Sequence, residues 1–170
     1  ETGRLEIPTL DISTEALRVQ GNLSTNDQSA PQTAQLMMML GRDADADQIP
    51  VQMPFAGPDA TVESGRLTLD YDAAEGQGWV LEGRVGALDT GQVQLGAVDL
   101  TGKGAVILTD GALSEVTGAL DFAARNLGFD DAGLAEAIGR QIEGEADFNF
   151  TPGNAIDISD VRIDGADYGL

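Results

Sequence analysis

Large aliphatic residues recur along this chain in pairs spaced two apart, with a three-residue step between pairs. Val93, Leu95, Val98 and Leu100 form one such set, closed by Gly102, and Ile156, Ile158, Val161 and Ile163 form another, closed by Gly165. Leu5, Ile7, Leu10 and Ile12 make a looser third copy with Pro8 in the gap. A spacing of two means strand, because successive side chains point to opposite faces. The three-residue step would turn the second pair to the wrong face of a straight strand. A bulge or tight turn in the gap returns both pairs to a common face. A chain that keeps rebuilding a one-sided apolar strand pair reads as a long, repetitive sheet.

The same alternation predicts strands at Arg4–Ile7, Thr9–Ile12, Ala16–Leu23, Gln35–Leu40, Arg66–Tyr71, Trp79–Val85, Gln92–Leu95 and Val98–Thr101. Further strands are expected at Ala105–Thr109, Leu113–Ala124, Glu145–Phe150, Ala155–Ile158 and Val161–Ile163. Ser24–Thr33 and Arg42–Gln48 read as polar loops, and Pro50, Pro54 and Pro58 as an edge or extended linker. Turns are expected at Glu75–Gly78, Thr101–Gly104, Asp110-Gly111 and Thr151–Asn154, with Asp110-Gly111 the strongest hairpin signal. Successive hairpins of this kind build an antiparallel meander. One segment has helical spacing instead. Leu134, Ala135, Ile138 and Ile142 follow Asp130-Asp131, so an amphipathic helix is expected from about Asp131 to Ile142, capped by the aspartates.

Composition narrows the function classes. The 170 residues suffice for one domain with a core. With 29 acidic residues, 9 basic ones and a formal charge of −20, there is no basic patch for nucleic acid or for anionic lipid headgroups. The chain has neither cysteine nor histidine, which excludes disulfides, thiolate nucleophiles and histidine-based triads. The longest apolar run, Leu36–Leu40, is far too short to cross a bilayer. The first residue is Glu1 and the last is Leu170 in mid-pattern, so the sequence is expected to be one β-rich segment, 1–170, of something longer.

Polar motifs offer little chemistry. Asp43, Asp45 and Asp47 resemble the start of a calcium loop, but the sixth and twelfth positions hold Gln48 and Pro54 in place of glycine and glutamate. Asp130-Asp131 is explained as a helix cap. Gly102-Lys103-Gly104 lacks the pattern of a phosphate loop and reads as a turn. Met37–Met39 read as core filler and Trp79 as a sheet-edge anchor. No catalytic residue, metal ligand or cofactor site is expected, and hence no enzyme.

The apolar face is the remaining candidate. Arg66–Tyr71 and Glu145–Phe150 alternate sharply between Leu, Phe or Tyr and Asp, Thr or Asn. This fits a two-sheet sandwich, and it also fits a single curved sheet whose apolar face lines an open groove. In the second arrangement Leu67, Leu69, Tyr71, Leu95, Leu100, Leu120, Phe122, Phe148, Phe150, Ile156 and Ile158 share the concave face.

The last fifty residues favour the groove. The runs Gly118–Leu127, Asp130–Gly139, Gly144–Phe148, Pro152–Ile158 and Gly165–Leu170 together resemble the repetitive middle of the TamB family, within the AsmA-like superfamily. Gly65–Asp70 and Val98–Gly102 have the same style; the resemblance is best over 61–170 and holds for 1–60 by composition only. It implies a mainly β fold, a curved antiparallel sheet forming an elongated, β-taco-like groove, with one short helix. It also implies a periplasmic segment of an inner-membrane-anchored protein of the translocation and assembly module, with phospholipid acyl chains and an outer-membrane barrel as partners. The function so implied is a bridge carrying phospholipid between the two membranes and supporting outer-membrane protein assembly or secretion. An alternative is a scaffold that templates strands of outer-membrane barrel clients by β-augmentation. A β-helix or sandwich acting on carbohydrate would need aromatic platforms, which one Trp and two Tyr scarcely supply.

Overall fold

A computed structural model describes residues 3–45, 50–52, 60–154 and 156–165. Ten strands form one open antiparallel sheet: β1 (Glu6–Ser13), β2 (Leu17–Thr25), β3 (Pro31–Gly41), β4 (Val51–Gln52), β5 (Thr61–Asp72), β6 (Gly78–Asp89), β7 (Val93–Thr109), β8 (Ala112–Phe129), β9 (Gln141–Phe150) and β10 (Ile156–Gly165). Neighbours in sequence are neighbours in the sheet, except that short β4 pairs with one end of β5 beside β3. This is the meander that the succession of hairpin signals predicts. No second sheet is present among the described residues, so the sandwich arrangement does not occur.

Several strands run longer than the sequence pattern suggests. Gln92–Leu95, Val98–Thr101 and Ala105–Thr109 fuse into the 17-residue β7, and Thr101–Gly104, expected to turn, lies in its middle. The glycines there serve packing: a Cβ on Gly104 would meet Trp79 Nε1 at 2.6 Å, and one on Gly118, opposite it, Trp79 Cζ2 at 2.2 Å. Trp79 is correspondingly no edge anchor. It is 7% exposed on the sixth strand in sequence, flanked by β5 and β7. The expected loop Ser24–Thr33 shrinks to Asn26–Ala30, its flanks joining β2 and β3. Asp110 and Gly111 close the β7–β8 hairpin with φ of 52° and 83°, as a two-residue turn requires. Asp47, Gln48, Pro54, Pro58, Ala155 and 166–170 lie outside the described residues.

The three-residue steps are resolved in two ways. In β10 the pairing with β9 shifts between Ser159 and Arg162, around Asp160 at φ 48°, and in β1 it shifts between Ile7 and Leu10. In β7 the register is kept. There Gly96 lies between Ala87 of β6 and Asn126 of β8, at φ 50° and 56°, and Leu95, Val98 and Leu100 join one cluster on both sides of it.

Among the described residues, helical structure is confined to a 3-10 turn at Arg42–Ala44 and a seven-residue helix, α1 (Ala132–Ile138), in the β8–β9 connection. The expected extension to Ile142 does not form. Gly139 takes φ 76°, a left-handed conformation that ends helices, and its N–H donates to Ala135 O at 3.1 Å. Gln141 then starts β9, which places Ile142 opposite Ala124.

The sheet rolls. Asn26, in the β2–β3 turn, donates from Nδ2 to Gly111 O in the β7–β8 turn at 2.7 Å. In a flat sheet those turns stand four strand spacings apart, roughly 19 Å. Asn26 Oδ1 also accepts from the N–H groups of Gln28 and Ala30, which holds the turn rigid. The tip of the β7–β8 hairpin folds inward with it, so that Val106 packs with Ala34, Tyr71 and Trp79. At the other end of the strands Val51, Val62, Val85, Val98, Ala124 and Leu127 form a second cluster, against which Ile138 of α1 packs.

Candidate functional site: apolar rows across the sheet

Antiparallel register puts directly opposed residues on one face, so the pairings trace rows from edge to edge. One row reads Ile7, Leu23, Ala34, Tyr71, Trp79, Gly104, Gly118, Phe148, Ile158. A second reads Ile12, Val19, Met38, Leu67, Gly83, Leu100, Phe122, Gly144, Ile163. Between them run Leu10, Gly21, Leu36, Leu69, Leu81, Gly102, Leu120 and Ala146. Every position is apolar or glycine apart from the hydroxyl of Tyr71 and the indole N–H of Trp79. Eight strand spacings make such a row about 38 Å long, measured along the curved sheet.

By register, ten of the eleven residues expected on the concave face lie on this one face. Leu67, Leu69, Tyr71, Leu100, Leu120, Phe122, Phe148 and Ile158 stand in the rows. Phe150 and Ile156 oppose one another beside them, and the eleventh, Leu95, packs in the cluster of Val98. Their burial differs. Tyr71 is buried, Ile156 and Ile158 are exposed, and the other eight are half-buried. Where the sheet rolls back on itself Ala34, Tyr71 and Trp79 are buried, and toward β10 the same face becomes exposed.

Glycine shapes the floor. Trp79 lies flat over Gly102, Gly104 and Gly118, donates from Nε1 to Thr117 O at 3.0 Å and stacks obliquely on Phe148, with ring centroids 5.7 Å apart. Phe122 lies over Gly144 in the same manner, since a Cβ there would come 2.5 Å from its ring. The aromatic rings thus lie along the sheet instead of standing up from it. The Tyr71 hydroxyl is buried with no hydrogen-bond partner, and burial, then the nearby Asp72 charge, raises its pKa above the ordinary tyrosine value of 10.0.

The opposite face is charged. Asp99 pairs with Arg84 at 3.5 Å and Arg125 at 3.3 Å, and Asp121, Glu143, Glu145, Arg162 and Asp164 surround a shallow hollow of about 450 Å³ beside it. Asp11 accepts from Arg18 and Gln20, and these bonds hold its carboxyl below the usual carboxylate range. No group of three or more acids among the described residues is arranged to hold a metal ion. Met37 and Met39 alternate with the apolar rows and so lie on this second face, where Met39 is buried opposite Arg18 and Arg66.

Sequence reasoning missed Trp79 as the centre of the floor and Asn26 as the brace of the roll. The glycines at 102, 104 and 118, all of one parity with Leu100 and Leu120 across the pair, were the available signal. The Asn26 contact spans 85 residues and has no local signature.

No protein-family model, no curated protein and no solved structure matches the chain.

Proposed function

We propose that this chain is a non-enzymatic segment of a periplasmic lipid bridge of the TamB type, in which the rolled sheet forms an open, β-taco-like groove. The segment belongs, in this reading, to a protein anchored in the inner membrane that meets an outer-membrane barrel partner. One observation carries the reading: rows of apolar residues and glycine run from β1 to β10 on a face that, among the described residues, no second sheet covers. A surface of this kind suits acyl chains, which need continuity and apolarity and no specific polar contact. Each methylene removed from water contributes about 0.8 kcal/mol, so ten of them contribute about 8 kcal/mol. The charged opposite face keeps the sheet soluble. The scaffold alternative, templating of client strands, is less well supported, because Pro8 and Asp11 on β1 and Asp157, Asp160 and Asp164 on β10 are the residues by which edges resist foreign strands.

Native mass spectrometry of the chain purified from membranes tests the proposal. Phospholipid masses retained by the wild type and lost in Leu69→Asp support it. A lipid-free chain, or retention unchanged by Leu69→Asp, overturns it.

A further inference from the structure

The hairpin of β7 and β8 reaches beyond the strands on either side of it. β6 pairs with β7 no further than Ala105, with a last bond from Val106 N–H to Gln77 O at 2.7 Å, and β9 pairs with β8 no further than Val116. Residues 107–115 therefore project as two strands with no neighbouring strand among the described residues. A two-stranded hairpin is marginal by itself, so this one is held by what it touches. At its base the register shifts between Ile107–Glu115 and Leu108–Leu113, which leaves Ser114 as the extra residue of a bulge. The bulge bends the hairpin and returns Leu113 to the face of Val106, Leu108 and Val116. These four pack with Ala34, Tyr71 and Trp79. At the tip, Gly111 O accepts from Asn26 Nδ2 at 2.7 Å, and the Gln28 side chain lies against Gly111. The turn that receives the tip is fixed without it. Asn26 Oδ1 takes the N–H groups of Gln28 and Ala30, Ser29 N–H donates to Asn26 O at 3.0 Å, and Gly3 N–H donates to Asp27 O at 3.1 Å.

We infer that residues 107–115 are a flap, hinged at the bulge and latched by Asn26, that opens and closes one end of the apolar face over Tyr71 and Trp79. The closed position carries a cost that favours release. It buries the Tyr71 hydroxyl without a partner, and a lifted flap gives that hydroxyl water, or the carbonyl oxygen of an acyl chain, to bond. The latch and the apolar contacts of Leu108 and Leu113 oppose that cost, so the chain exchanges between two positions. The use of the flap rests on the reading of this face as a lipid groove. Its motion belongs to the chain alone and is measured without lipid.

Thiol labelling tests the motion. The chain has no cysteine, so Ala34→Cys places a single thiol in the buried cluster under the flap. Ala124→Cys places one in the buried cluster at the other end of the strands. Under excess N-ethylmaleimide the rate at each site reports how often that site opens. Asn26→Asp keeps the acceptor for Gln28 and Ala30 but turns a carboxylate oxygen toward Gly111 O, so it unlatches the flap and spares the turn. It should speed labelling at 34 at least about fivefold, the ratio expected for one lost hydrogen bond, and leave the rate at 124 unchanged. Tyr71→Phe removes the cost of closing and should slow labelling at 34 by a similar factor. Where Ala34→Cys fails to fold, as judged by circular dichroism, Val106→Cys in the same cluster gives the same readout. A rate at 34 indifferent to Asn26→Asp overturns the inference. So does equal acceleration at 34 and 124, which marks unfolding of the whole sheet, and so does a rate at 34 that Tyr71→Phe does not slow.

Discussion

The glycine floor under Trp79 makes a sharp mutational prediction. A Cβ at Gly118 falls 2.2 Å from Trp79 Cζ2 and 2.8 Å from Lys103 O. Carbon atoms in contact sit 3.5–4.0 Å apart, so in Gly118→Ala the indole must lift by more than an ångström. Lifting it breaks the bond from Nε1 to Thr117 O, worth about 1 kcal/mol. It also spoils the ring contact with Phe148, worth about 0.5–1.5 kcal/mol. Against this stands a gain of roughly 0.5–1 kcal/mol for replacing a strand glycine with alanine. The net expectation is a loss of about 0.5–2 kcal/mol, overlapping the usual range for overpacking. Trp79→Leu costs about 2–4 kcal/mol by itself, because it empties the floor. In the Trp79→Leu background the clash is gone and Gly118→Ala becomes close to neutral, with the residual contact at Lys103 O offsetting the alanine gain. The double-mutant cycle, measured by urea unfolding with far-ultraviolet circular dichroism, should therefore show a coupling of about 0.5–2 kcal/mol. Equal costs for Gly118→Ala with and without Trp79 would refute the packing described here.

Two further substitutions test the kinks and the buried hydroxyl. Ala87→Gly relieves a left-handed backbone at φ 50° that disfavours a Cβ by roughly 1 kcal/mol, so it should raise the urea midpoint or leave it unchanged, whereas a clear loss contradicts the kink. Tyr71→Phe removes a hydroxyl that has no partner, an orphan worth about 1–3 kcal/mol, so the variant should be as stable as the wild type or more so. The raised Tyr71 pKa adds a pH signature. Below the unfolded-state value near 10 the hydroxyl is protonated in both states, and its contribution is constant. As pH rises past 10 the unfolded chain loses that proton first, so stability falls toward the higher folded-state pKa, and Tyr71→Phe should lose less there.

Much of this architecture is legible in the chain because a sheet with one apolar face writes its period into the sequence. Leu67, Leu69 and Tyr71 against Asp70 and Thr68 give strand, face and register together. The pairs around Gly96 and Asp160 likewise announce an irregularity, although its form differs: a register shift at Asp160, and left-handed neighbours opposite Gly96. What failed to show is non-local. Gly102 and Gly104 look like turn residues until Trp79, more than twenty positions upstream, is laid across them. The helical spacing of Leu134 to Ile142 is genuine, but Gly139 stops the helix and β9 claims Ile142 for the row opposite Ala124. The roll rests on Asn26 meeting Gly111, a contact no local pattern encodes.

The central claim, that the open apolar face receives acyl chains, is tested most directly by photo-crosslinking from that face. A photoreactive residue at 69 or at 148, both half-buried in the rows, should capture phospholipid when the chain is exposed to phospholipid vesicles or expressed in the periplasm. The same residue at 121, on the charged face, should capture none. With the probe at 148, Leu69→Asp should abolish capture while the circular dichroism of the sheet is retained. Equal labelling from 121 and 148, or no lipid from either face, would contradict the account.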